Sequence, residues 1–378
     1  MKAAAPLLAA ACVMLCAMPA RAQVTMALAP AIQNSAAGQS AVFYGTLANT
    51  STTDEVFLNN IGVAMSGTAA GAAVTGSNPF YANVPGILLP GETYTGEIFS
   101  VALSGTAPPV DYDGVVTLQG GADIFATEDL ADEAFAVLSP AVTIIASGTS
   151  AAELGPVPCA LTVTRTGGTG SDLPVSFAFG GAAVNGADYQ AIATSGTIAS
   201  GSSSVTITIT PIADDIAEGD RTATVTVVPS PFYNLGAPNS STVAILDKPV
   251  DEWRYQAFGA EANTPQAGDT ADWSGGGIVN LMAYALNIDP NNPNPALLPA
   301  GALVSNYPTL TYLQNPAAPD VTCTVEASTD LIQWSTANVV PGGNPAGAPA
   351  GSVTYRYNSP IGPYGHVFMR LRVTRTDE

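Results

Sequence analysis

The sequence is 378 residues long and carries a formal net charge of −20, with 11% charged and 47% hydrophobic residues. So acidic a chain is a poor partner for nucleic acid or an anionic membrane surface. Its apolar content excludes wholesale disorder, and its frequent Gly, Pro, Thr and Val exclude a mainly helical fold.

The chain opens with "MKAAAPLLAAACVMLCAMPARAQ". Lys2 gives a positive start, residues 3–18 are almost wholly apolar, and Ala20-Arg21-Ala22 is a small-x-small cleavage site. This reads as a secretory signal peptide (residues 1–22) cut before Gln23, so the mature chain is expected to be secreted or at the cell surface. The apolar run is too short for a spanning helix and Pro19 interrupts it; no later run is long enough either, so no transmembrane segment is expected in the mature chain.

Short alternating or β-branched runs follow, separated by Gly, Pro, Asn and Asp: "SAVFYGTLAN", "YTGEIFSVAL", "GVVTLQG", "CALTVTRTG", "PVSFAFGG", "SVTITITPI", "ATVTVVPS". Many short strands with turn signals between them predict β-sandwiches. Residues 23–140 are read as a first β domain, 141–248 as a second and 249–378 as a third. "LDKPVDEW" marks the last boundary, where the β run stops at Leu246 and Pro249 and a polar stretch intervene. In the third part Ile278, Leu281, Met282 and Leu286 recur at helical spacing and predict one short helix over 277–287, followed by further strands. The fold class is therefore all-β: tandem sandwiches and a mostly-β C-terminal domain with one short helix. Cys159 and Cys323 fall in different domains; a bridge is allowed outside the cell, and two separate small buried side chains is the simpler reading.

The chemistry concentrates in "PIADDIAEGDR" (211–221), where Asp214, Asp215, Glu218 and Asp220 crowd between two strand-like runs. If consecutive strands of the middle domain run antiparallel, the loop 213–221 lies at one pole, and so do Glu153, Asp188 and Asp247. Acids so gathered repel one another and resist ionisation, and Arg221 alone cannot balance six of them. A divalent hard cation can. Calcium takes six to eight oxygens in irregular geometry, whereas zinc or copper would call for Cys or His, absent from this stretch, and magnesium for a tighter octahedron. The bland alternative is a solvated acidic face.

Over about 143–248, "AAELG", "CALTVTRTGG", "VNGADYQ", "SGTIASGSSSVTITITPIADDIAEGDRTATVTV" and "STVAILD" occur in an order that resembles a Calx-beta domain. The resemblance implies an immunoglobulin-like sandwich that binds Ca2+ through loops at one tip. Its ligand positions carry over to Glu153, Asp188, Asp214, Asp215, Glu218 and Asp247, with the carbonyl of Ile216. Two departures stand out: Ala213 replaces an acid, and Lys248 follows Asp247 where further aspartates would stand. They imply one or two ions, held more weakly.

The first domain resembles, loosely, the immunoglobulin-like modules of bacterial surface and secreted proteins. In the third, "AGDTADWSGGGIVNLMAYALNIDPNNPNP" is similar to a "DxDGDGxxNLxEYALGxDP" calcium-loop segment, but only Asp272 of the spaced acids remains; Ser274, Gly276 and Ala283 stand in the other places. Trp253, Trp273 and Trp334 all lie in this part, and His366 is the one histidine, which leaves no nucleophile–His–acid set and no histidine metal set. No phosphate-binding or nucleophile-elbow motif appears. The expectation is a non-enzymatic, calcium-binding structural or adhesion protein, with calcium ions and other surface proteins or glycans as partners. The alternative is a carbohydrate-binding or accessory module of a secreted degradative system, with exposed Trp as its sugar platform.

Overall fold

The computed structural model describes residues 24–67, 69–362 and 365–376. The signal-peptide reading of residues 1–22 lies outside them. Two immunoglobulin-like sandwiches follow one another, and a mixed C-terminal part completes the chain.

In the first sandwich, Val24–Leu28, Ser40–Asn49, Thr93–Leu103 and Ala73–Gly76 form one sheet. Ile32–Asn34, Glu128–Leu138, Asp111–Gly121, Val56–Met65 and Ile87–Leu88 form the other. Burial alternates along Ser40–Asn49 as the pleat requires. The inward residues meet in an aromatic centre: Phe43 stacks on Phe99 at 4.6 Å between centroids, and Phe135 packs at a tilt on both.

The second sandwich repeats the plan. Ser204–Ile209, Cys159–Arg165, Ala141–Ala146 and Asn234–Leu235 face Ser150–Ala152, Ser240–Leu246, Arg221–Val227, Leu173–Gly180 and Ser195–Ile198. The long strands pair antiparallel, while Ser150–Ala152 lies parallel to Ser240–Leu246. Both strands therefore run toward the same pole and deliver Glu153 and Asp247 side by side; the Glu153 backbone N–H donates to Leu246 O at 3.0 Å. Each sandwich also has a buried Tyr tied back to its own upstream backbone: Tyr112 Oη donates to Pro108 O (2.9 Å) and Tyr233 Oη to Val228 O (2.7 Å).

At the opposite pole Arg165 is buried among carbonyls of Ser202, Ser171, Thr169 and Ala199, with donor–acceptor distances of 2.7–3.2 Å. The first sandwich docks here. Gly168 N donates to Asp111 Oδ1 (2.8 Å), Asn34 Nδ2 to Asp172 O (2.8 Å) and Ala36 N to Pro231 O (2.7 Å). Cys159 and Cys323 are both free thiols.

The C-terminal part holds the expected helix, shortened to Asn280–Ala285, and a second, Pro249–Phe258, in the stretch read from sequence as a polar linker. Pro249 at the first turn, Asp251 and Glu252 beside the positive end of the helix dipole, and Gly259 in the left-handed region (φ 55°) explain it. Asp320, fully buried, joins the two helices: it accepts from Val250 N (2.9 Å) and Tyr284 Oη (2.5 Å). Around them stand the sheet Ala300–Val304, Tyr307–Leu313, Ser352–Tyr357, Val339–Pro341 and the pair Val321–Ser328 with Phe368–Arg375.

Candidate metal centre

The acidic loop follows Ser204–Ile209 and precedes Arg221–Val227, at the pole away from the first sandwich. Glu153 is 4% exposed, and its Oε2 is buried with no hydrogen-bond partner. Burial pushes its carboxyl up to about 8, and the charges of Asp247, Asp214 and Glu218 push the same way, against the nearby Asp214 backbone amide. Asp247 is pushed up to about 6 by burial, although three amides cap it: Glu218 N (3.2 Å) and Gly219 N (3.1 Å) on Oδ2, Lys248 N (2.8 Å) on Oδ1. Burial also raises Glu218, opposed by Arg221. Glu153 thus feels the charges of Asp214, Glu218 and Asp247.

Asp188 reaches the same pole but is engaged: Arg221 donates to its Oδ1 (2.9 Å) and Val184 N to its Oδ2 (2.6 Å). The other arm of Arg221 pairs with Glu218 at 2.7 Å, so this guanidinium bridges two of the expected ligands. Asp214 accepts from Ile216 N (2.8 Å), and the Ile216 side chain is exposed. Asp215 stands apart. Its side chain is 78% exposed and pairs with Lys248 at 2.7 Å and Arg375 at 3.6 Å, while its carbonyl accepts from Arg254. Arg221 is the one cation within the loop, and Lys248, Arg254 and Arg375 reach the pole from outside it.

Three further residues shape the pole. Asp220 accepts the Asp247 backbone N–H (3.1 Å). Glu252 accepts the Asp220 N–H (3.1 Å). Asn263 donates to Ala217 O (2.8 Å) and accepts from Ala217 N (2.7 Å), so its amide reads the loop backbone in both directions. Ala217 itself is buried with Phe258, Ala262 and Ala267. Gly219 has φ 76° and lies under the Tyr255 ring, where an added Cβ would come within 2.7 Å. Asp220 stood among the loop acids in the sequence, and the helix start at Pro249 with its two acids was a signal for Glu252.

Among the described residues no group of three or more His, Cys, Asp or Glu is already spaced about a common ion position. The donor set nevertheless fits a hard cation in one respect: Glu153 is a buried carboxylate with an unmet oxygen, and the charges of Asp247, Asp214 and Glu218 act on it. The loop at Asp272 does not fit. Its Oδ1 accepts from Gly276 N (3.2 Å) and its Oδ2 from Gly277 N (2.5 Å), so glycine amides satisfy the carboxylate. The three tryptophans are also in use. Trp253 packs on Phe258 and Tyr284, Trp273 packs on Phe258, and Arg370 covers the Trp334 ring at 4.2 Å.

No family model and no curated protein matches the chain. Among solved structures it is similar to the apo-form Calx CBD1 domain, at 22% identity over 28% of this chain and 96% of that one, with a TM-score of 0.24. It is also similar to the Yersinia pseudotuberculosis adhesin InvE (14% identity, 60% of this chain and 59% of that one, TM-score 0.22). A third is the D00-D0 domain of intimin (13%, 59% and 98%, TM-score 0.23). Scores of this size leave the reading of the acidic pole to its own geometry.

Proposed function

We propose that the chain is a secreted or cell-surface structural and adhesion-type protein whose second sandwich binds calcium at the pole formed by Glu153, Asp214, Glu218 and Asp247. One observation carries the reading: the buried, unpartnered Oε2 of Glu153 among three other carboxylates. An ionised group in that position is costly unless a cation meets it. A bound calcium ion would supply positive charge and accept several oxygens at once. The chain's residues do the rest. Glu153 and Asp247 offer oxygens from two parallel strand ends, the Glu218, Gly219 and Lys248 amides orient Asp247, and Arg221 fixes Glu218 beside them through one arm while its other arm engages Asp188. Asp188, Asp215 and the Ile216 carbonyl are outer candidates, reached only if Arg221 and Lys248 release their partners. The secretory-type N-terminus and the tandem immunoglobulin-like build support an extracellular, non-catalytic role, with other surface proteins or glycans as partners.

The test is titration calorimetry of the mature chain with calcium, alongside thermal unfolding with calcium and with chelator. Saturable binding and a raised Tm are expected, both lost in Glu153→Gln with Asp247→Asn. Magnesium should bind more weakly. No saturable binding by the folded wild type would overturn the reading.

A further inference from the structure

An open cleft of about 350 Å³ lies between the helix Pro249–Phe258 and the turn that follows the helix Asn280–Ala285. Trp253, Gln256 and Ala257 line it from the first helix, at the i, i+3 and i+4 positions that share one face. Asn287, Asp289 and Asn291 line it from the turn, with the buried Ile288 among them. The two sides are tied together. Asn291 Nδ2 donates to Ala257 O (3.1 Å), its Oδ1 accepts from Trp273 Nε1 (2.9 Å), and its backbone N–H donates to Asp289 Oδ1 (2.9 Å).

The helix end fixes Asn287. Its N–H donates to Tyr284 O (3.2 Å) and the Ile288 N–H to Ala283 O (2.8 Å), so the chain turns through Asn287 in the left-handed region (φ 53°). Glycine is the usual residue in such a cap, and glycine holds this place in the calcium-loop pattern that the stretch resembles. Asparagine adds an amide here at a small backbone cost. Among the described residues, no hydrogen bond engages the Asn287 amide, Asp289 Oδ2 or Gln256 Oε1.

The lining discriminates among ligands. It holds no Lys, Arg or His, and Asp289 makes it negative, which disfavours an anion. One carboxylate supplies too little charge and too few oxygens for calcium, which takes six to eight. An apolar ligand would leave the free polar groups of the cleft unpaired. An uncharged polyhydroxy ligand satisfies them all. Each hydroxyl both donates and accepts, so it meets either end of the Asn287 amide and donates to Asp289 and Gln256. Trp253 supplies the apolar wall: it is half-buried, its ring packs on Phe258 and Tyr284, and it still lines the cleft. The volume sits at the low end of the roughly 300–1,000 Å³ typical of small-ligand sites. We infer that this cleft binds a neutral saccharide, with Trp253 against its C–H face and Asn287, Asp289 and Gln256 on its hydroxyls. The site shares no lining residue with the acidic pole and does not rest on calcium.

The experiment probes an array of neutral and anionic glycans with the labelled full mature chain in chelator, then titrates the neutral glycans that bind by calorimetry. Saturable binding of a neutral glycan is expected. Asn287→Gly should weaken it about fivefold while Tm stays unchanged or rises slightly, the reverse of what losing a structural contact would do. Asp289→Asn keeps the acceptor for Asn291 N and should weaken binding about tenfold. Glu153→Gln should bind as wild type does, which separates this site from the calcium reading. Binding of no neutral glycan overturns the inference. So does binding confined to anionic glycans, or an affinity unchanged in Asn287→Gly combined with Asp289→Asn.

Discussion

Replacing Glu153 by Gln removes one ionisable group from the acidic pole at nearly constant shape. With chelator present, the Glu153 carboxyl is held at about 8 in the fold against 4.5 as its ordinary value. The folded state therefore binds the proton more tightly, so stability is fully present below pH 4.5 and is lost as pH rises through 8. The gap between 4.5 and about 8 sets a ceiling of about 5 kcal/mol on the cost of ionising this group at high pH. The Gln variant should match wild type at pH 4.5 and unfold at distinctly higher temperature at pH 9. A gentler loss between 3.8 and about 6 should persist in the variant, because Asp247 is raised in the same direction. Scanning calorimetry across pH reads both. A wild type whose stability rises from pH 5 to 8.5, or a variant that tracks it across the range, would refute the reasoning.

Asn263→Ala removes both hydrogen bonds to Ala217 and should cost about 2 kcal/mol, seen as faster hydrogen exchange in 213–220. Gly219→Ala places a Cβ against the Tyr255 ring at φ 76° and should destabilise by about 1–3 kcal/mol, with the effect confined to the seam between the second sandwich and the Pro249–Phe258 helix. Arg165→Met strands four carbonyls and should lower stability by about 3 kcal/mol or more in denaturant unfolding, independently of calcium. Tyr233→Phe should cost about 1 kcal/mol through the lost bond to Val228 O.

The alternation of residues such as those in Ser40–Asn49 and Cys159–Arg165 made the strands legible, because the period of two is a local property. Up-and-down accounting also brought Glu153, Asp188, Asp214 and Asp247 to one end, since the long strands of the second sandwich do pair antiparallel. What stayed hidden was non-local. Arg254 and Arg375 lie 39 or more residues beyond Asp215, and no spacing rule announces that they meet it. Asp220 looked like one more loop acid, yet its role is to hold the Asp247 backbone. The Pro249–Phe258 helix did announce itself at both ends, but a short stretch after a strand read more simply as a linker.

The Asp272 turn has a consequence of its own. Where a calcium loop would recruit an ion to neutralise its carboxylates, this one closes on the amides of Gly276 and Gly277. A clasp made of the chain's own backbone cannot be chelated away. If the acidic pole holds calcium as proposed, stripping divalent ions would act at that pole and leave the Asp272 turn closed.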